Sequence, residues 1–239
     1  MIKFLVGFFA AIFIISLLVG GALGLVPGIS SVLGASPKNL GQKITLADSL
    51  AAQNKTGIEV VSLPKTTPNN KGLIAEGKKP LSASFNSQEL TALANNRTWK
   101  NFPVKNVQIR VNPDNTLESS GIIVVAKAIP FAEGFGYSAS QVKEAIEKYK
   151  LPQIEIPYYI KGSGEVKNND VSLTVSTMKI GVVPVPQNIT DSAAEGAVLF
   201  LEDLMRKYQA NFSAQSISVQ NSELNFIGQV AEKIKVVSE

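Results

Sequence analysis

The stretch VQIRVNPDNTLESSGIIVVAKAI, residues 107–129, decides the fold. Val107, Ile109 and Val111 alternate with polar neighbours, the period of a half-buried strand. Asn112-Pro113-Asp114-Asn115 supplies turn chemistry, and a β-rich run resumes from Ser120 to Ile129, so the segment reads as a hairpin. Downstream, Ile154-Glu155-Ile156 and Tyr158 to Ile160 predict a strand. Gly162-Ser163-Gly164 is expected to turn it into a partner over residues 165–181, where Val171, Leu173 and Val175 alternate. A last hairpin is expected around Asn221-Ser222, between Ile217 with Val219 and Leu224 with Phe226. Hairpins in succession imply an antiparallel sheet.

Helix starts are marked as clearly. Asn86 caps a helix with Glu89 at its third position, and Phe85 before the cap faces Leu90, a capping box with a hydrophobic staple that predicts a helix over residues 87–95. Ser138 with Gln141 and Tyr137 with Val142 repeat the arrangement and predict a second helix, stopped before Pro152. Ala194, Ala197, Val198, Leu201, Leu204, Met205 and Tyr208 recur at helical spacing and predict the longest helix, over residues 191–209. The class is α+β: an antiparallel sheet with about three helices packed on one face. The apolar stripe of the long helix is read as core against that sheet, with the wall of a lipid-holding groove as the alternative.

The order FNSQELTAL (85–93), hairpin, VVPVP (182–186), long apolar helix and ISVQNSELNFIG (217–228) resembles bacterial single-pass, extracytoplasmic proteins of the YpmS-like kind. The resemblance implies location and architecture and carries no functional residue.

Location is also written in the first 37 residues, whose only charged side chain is Lys3. Residues 4–26, FLVGFFAAIFIISLLVGGALGLV, are uncharged and mainly apolar, long enough as a helix to cross a ~30 Å hydrocarbon core. This apolar core is longer than that of a cleaved signal peptide, although residues 32–36, VLGAS, would suit a peptidase. Residues 1–36 are therefore expected to be a membrane anchor (or signal peptide), with Lys3 on the cytoplasmic side and the rest of the chain outside, in a bacterial cell envelope. Residues 37–80 are expected to be a stalk with a short helix at 45–54 and a short strand at 57–62. Residues 81–239 are expected to be the extracytoplasmic α+β domain.

Charge is uneven. Residues 38–127 hold 12 basic and 6 acidic side chains, and residues 128–239 hold 10 and 13. Arg97, Lys100, Lys105 and Arg110 occur between Thr91 and Pro113 with no carboxylate among them, interleaved with Trp99 and Phe102. An anion-seeking face on Arg97, Trp99, Lys100, Lys105 and Arg110 would suit lipid headgroups or an acidic wall polymer. An ordinary solvated surface is the alternative.

With no Cys and no His, thiol catalysis, Cys/His zinc sites, disulfides and a Ser-His-Asp triad are excluded. Ser140/Lys143 mimics an acyl-enzyme Ser-x-x-Lys, but the same spacing recurs at Ser62/Lys65 and Ser176/Lys179. Glu118, Glu133 and Glu155 are the carboxylates that would have to converge in a glycosidase. The expectation is a non-enzymatic, membrane-anchored binding or scaffold protein without cofactor or metal, meeting membrane, lipid or wall polymer and no nucleic acid. An envelope protein-protein interaction subunit and a carboxylate-based hydrolase are the other readings.

Overall fold

The computed structural model describes residues 36–96, 98–140, 143 and 154–238. The chain is α+β. Helix α1 (Leu46–Thr56) leads into β1 (Glu59–Leu63), β2 (Leu73–Glu76) and β3 (Lys79–Phe85), followed by α2 (Ser87–Asn95) and the hairpin β4 (Val104–Val111) and β5 (Leu117–Val124). After α3 (Ala128–Gly134) come β6 (Glu155–Lys167), β7 (Asp170–Ile180), β8 (Val183–Pro184), α4 (Gln187–Lys207), β9 (Ser213–Gln220), β10 (Glu223–Val230) and β11 (Lys233–Val237). The large sheet runs β3-β10-β9-β6-β5-β4, with β7 on the other edge of β6 and β8 on β7; its pairings are antiparallel. A second, small sheet runs β1-β11-β2, with β1 parallel and β2 antiparallel to β11.

The expected linker over 37–80 is therefore part of the fold. Thr45 caps α1 through a reciprocal box with Asp48, and the Lys55 ammonium lies 2.7 Å from the buried Glu89 carboxylate, tying α1 to α2. β1 and β2 give β11 both of its neighbours. Leu40 is buried, and the Gln108 side-chain oxygen accepts from the Leu40 and Gln42 amides at 2.8 and 3.3 Å. The core does not begin at Leu81.

Helix α2 has the predicted bounds, with Asn86 and Glu89 forming the capping box and Phe85 and Leu90 buried. Its Ser87, Thr91 and Asn95, one turn apart, face the outer edge of β4. Ser87 accepts from the Val111 amide, Thr91 both accepts from and donates to Ile109, and Asn95 does the same for Val107. Three polar side chains at four-residue spacing thus do the work of a missing strand, closing an edge that would otherwise offer unpaired backbone. The helices are consequently not gathered as one layer on one face: α2 lies along this edge, while α4 packs against β7.

Two strand signals resolve differently from expectation. The β6–β7 turn is Asn168-Asn169, both at positive φ (50° and 68°), the conformation of a two-residue hairpin turn that Asn tolerates. Gly162 and Gly164 lie inside β6. A Cβ on Gly162 would run into the Thr174 carbonyl, and one on Gly164 would sit 2.8 Å from the Ser172 carbonyl. These glycines permit close strand approach beside a bulge between Lys161 and Gly162. The helix expected from Ser138 falls almost wholly outside the described residues. So does the expected anchor at 4–26; among the described residues no helix is long and apolar enough to cross a membrane.

The core joins both sheets through an aromatic cluster. Trp99 stacks within 5.3–6.4 Å of Phe102, Phe131 and Phe135, and its ring lies over Gly134, where a Cβ would meet it at 2.5 Å.

Candidate functional site

The basic segment singled out by the sequence does not assemble as one free face. Trp99 is 2% exposed and belongs to the aromatic cluster, so it offers nothing to an interface. Arg97 lies outside the described residues. Lys100 is half-buried and carries no ion pair among the described residues, whereas Lys105 pairs with Glu155 at 2.5 Å and Arg110 with Glu118 at 2.5 Å. The carboxylates missing from the local sequence arrive from neighbouring strands. In the β4–β5 ladder Arg110 stands directly opposite Glu118.

Glu118 is the buried centre of a half-exposed cluster. Its carboxylate, 5% exposed, accepts from Arg110 at 2.5 Å, from the Tyr159 hydroxyl at 2.9 Å, and from Asn112 and Lys38 at 3.2 Å each. The Lys38 ammonium also lies 3.8 Å from the centre of the Tyr159 ring. Burial alone would push the carboxyl pKa up; the donors around it outweigh that and hold it at about 2, below its ordinary 4.5. Four donors saturate both oxygens, leaving no lone pair aimed at a ligand. The cluster is a clamp that fixes residue 38 to β4, β5 and β6.

The three candidate hydrolytic carboxylates do not meet. Glu118 and Glu155 sit six ladder positions apart, opposite Lys161 and Val124 respectively. At ~3.3 Å per residue this is roughly 20 Å, beyond the carboxylate separation of either glycosidase geometry. Glu133 accepts from Asn69 at 3.0 Å, on α3.

A different site emerges where the large sheet splits. One edge of β6 pairs with β5 as far as Leu117↔Gly162, then with β9 at Val166↔Ile217 and Lys167↔Ser216. Continuing the second register would place Glu165 opposite Ser218, Gly164 opposite Val219 and Ser163 opposite Gln220. None of these pairs forms; the strands part, and the six residues line a wedge-shaped cleft of about 340 Å³. Asn115 from the β4–β5 turn and Ser172, Leu173 and Thr174 of β7 complete it.

Its chemistry is uniform. Ser163, Ser172, Thr174, Ser218, Asn115 and Gln220 bring hydroxyls and amides whose side chains make no hydrogen bond among the described residues, while Leu173 and Val219 alternate with them along their strands and pack against the core. The single charge, Glu165, is already paired with Lys167 at 2.7 Å. Residues 163–165 pair only with β7, so their outer backbone edge is open to the cleft. The arrangement can exchange many neutral hydrogen bonds, and none of its hydroxyls is hydrogen-bonded to Glu165 among the described residues. The sequence hides it because Gly162-Ser163-Gly164 reads as a turn; two glycines in one strand, each forced by close approach, are the available signal.

A second hollow lies between the sheets, lined by Leu73, Ala75, Trp99, Phe102, Phe135, Tyr208, Phe212 and Ile234 among others, and holds about 40 Å³. That suits a small apolar gap rather than an acyl chain. The stripe expected on the long helix is seated in the core among the described residues. Ile189, Ala193, Ala197, Leu201 and Leu204 are buried along the helix that packs on β7.

No group of His, Cys, Asp or Glu among the described residues is arranged to hold a metal ion. Comparison with family models, curated proteins and solved structures yields no match, so the reading of the site rests on its geometry.

Proposed function

We propose that this chain is a non-enzymatic, membrane-tethered extracytoplasmic binding protein whose split-sheet cleft takes a neutral, hydroxyl-rich ligand, a sugar unit of an envelope glycan. The observation that carries the reading is the cleft itself: six hydrogen-bonding side chains without partners among the described residues and one already neutralised charge around about 340 Å³. Free hydroxyls and amides match a ring bearing donors and acceptors all round. An anion would find no cation there other than Lys167, itself engaged. Tethering draws support from the uncharged stretch at residues 4–26.

The cleft is short, about 10 Å along β6 at strand spacing, and lacks an aromatic platform, so affinity for one unit belongs in the millimolar range. Saturation-transfer NMR on the full chain in lipid nanodiscs, with chitotetraose and maltotetraose as probes, tests this. Transfer to sugar protons is expected from the parent protein and at least several-fold less from Thr174→Tyr/Ser218→Tyr, which fills the cleft from its exposed face. Equal transfer from both proteins, or none from either, would contradict the proposal.

A further inference from the structure

Helix α1 carries a face that no described residue covers. Ala52 and Thr56 are buried against the domain, and on the opposite side Leu46, Ala47, Leu50 and Ala51 form an exposed apolar stripe, Leu46 at 76% and Leu50 at 49% exposure. Ile44, 39% exposed, continues it before the cap. Four of the five apolar side chains lie within two turns of one helix, the spacing of a docking face rather than of scattered surface residues.

The chain before the stripe says what covers it. Lys38 is held by Glu118 and Tyr159, and Leu40 and Gln42 by Gln108, so residues 38–42 are fixed to the sheet. The apolar 4–26 stretch ends twelve residues before Lys38, a reach of at most about 40 Å even when fully extended. Ile44 follows two residues after the clamp. Lys43, exposed and without an ion pair among the described residues, stands beside the stripe, as cations do on helices that lie at lipid headgroups. We infer that α1 rests on the bilayer that holds residues 4–26, its Leu46/Leu50 face in the headgroup–acyl boundary, so that the domain lies against the membrane in one orientation. The inference rests on residues 4–26 spanning that bilayer.

The chain has no Cys, so single thiols report cleanly. Full-length Leu50→Cys, Ser16→Cys and Leu199→Cys proteins, each nitroxide-labelled in nanodiscs holding one copy, would be compared for collision with oxygen and with a water-soluble nickel chelate. Leu199, 70% exposed on α4, is the water reference. The expected result is a Ser16 label seen only by oxygen and a Leu50 label with nickel accessibility several-fold below that of Leu199. A Ser16 label in hydrocarbon with a Leu50 label as nickel-accessible as Leu199 would overturn the inference and leave the anchor standing. A nickel-accessible Ser16 label would overturn the anchor and the inference with it. If Leu50 were shielded only in discs holding two copies, with a Leu50–Leu50 dipolar coupling, the stripe would be a self-association face and the inference would fall.

Discussion

A chain shortened to residues 81–239 is expected to lose cooperative folding. The cut removes β1 and β2, the two partners of β11, and with them Leu73 and Ala75 from the wall beside Trp99. Val236 and Val237 are fully buried and Ile234 is 6% exposed in the intact fold, and all three would meet water. At about 1.5–3 kcal/mol for each such side chain, the loss is comparable with the whole stability of a typical domain, about 5–15 kcal/mol. The Lys38–Glu118 and Lys55–Glu89 pairs disappear as well. Trp99 is the single Trp, so its emission during urea titration reads the core directly. The full-length protein should give one sigmoidal transition, and the shortened chain a shallow drift or aggregation. An unchanged midpoint in the shortened chain would mean that residues 36–80 are a dispensable stalk after all.

Removing the charge of Glu118 is the other large effect expected. Glu118→Gln keeps the shape of the side chain but weakens four charge-assisted bonds, and Glu118→Ala abandons them. Arg110 and Lys38 are 40% and 47% exposed and can rehydrate, so the cost of the Ala variant is set at about 2–3 kcal/mol, below that of breaking a fully buried pair. A carboxyl lowered from 4.5 to about 2 binds its proton more weakly in the folded than in the unfolded chain. Its stabilisation is fully present above pH about 4.5 and is lost as pH falls toward about 2, a difference of about 3 kcal/mol. Urea midpoints measured from pH 6 downward should fall more steeply for the parent than for Glu118→Gln. Parallel curves for the two proteins would show that the cluster contributes no such linkage.

What the sequence made legible was local. The Asn86/Glu89 box set α2, the 112–115 turn set the β4–β5 hairpin, and Asn221-Ser222, both at positive φ, set the last hairpin. The parallel pairing of β1 with β11 joins segments 174 positions apart at Glu59↔Lys233, and no local pattern encodes such a pairing. That is why residues 59–76 read as linker. The ion pair of Arg110 was within reach, because counting the ladder outward from the turn puts Glu118 opposite it. Lys105 finds Glu155 fifty residues on, through the third strand of the ladder, which local counting does not reach. Trp99 reads as interfacial because an aromatic among cations resembles one; its partners Phe131 and Phe135 come from α3 and the residue after it. The cleft was hidden for a related reason. It is made by two strands failing to pair, and a missing pair leaves no mark in either strand's own sequence.

We propose that ligand enters where β6 and β9 part. Backbone amide shifts of the isotopically labelled full-length protein in nanodiscs, followed during titration with chitotetraose and maltotetraose, test it most directly. Saturable changes are expected at residues 163–165, 172–174 and 218–220, with the clamp around Lys38 and Glu118 unmoved. Changes confined to the surface of Lys100, Lys105 and Arg110, or no changes at millimolar sugar, would contradict it.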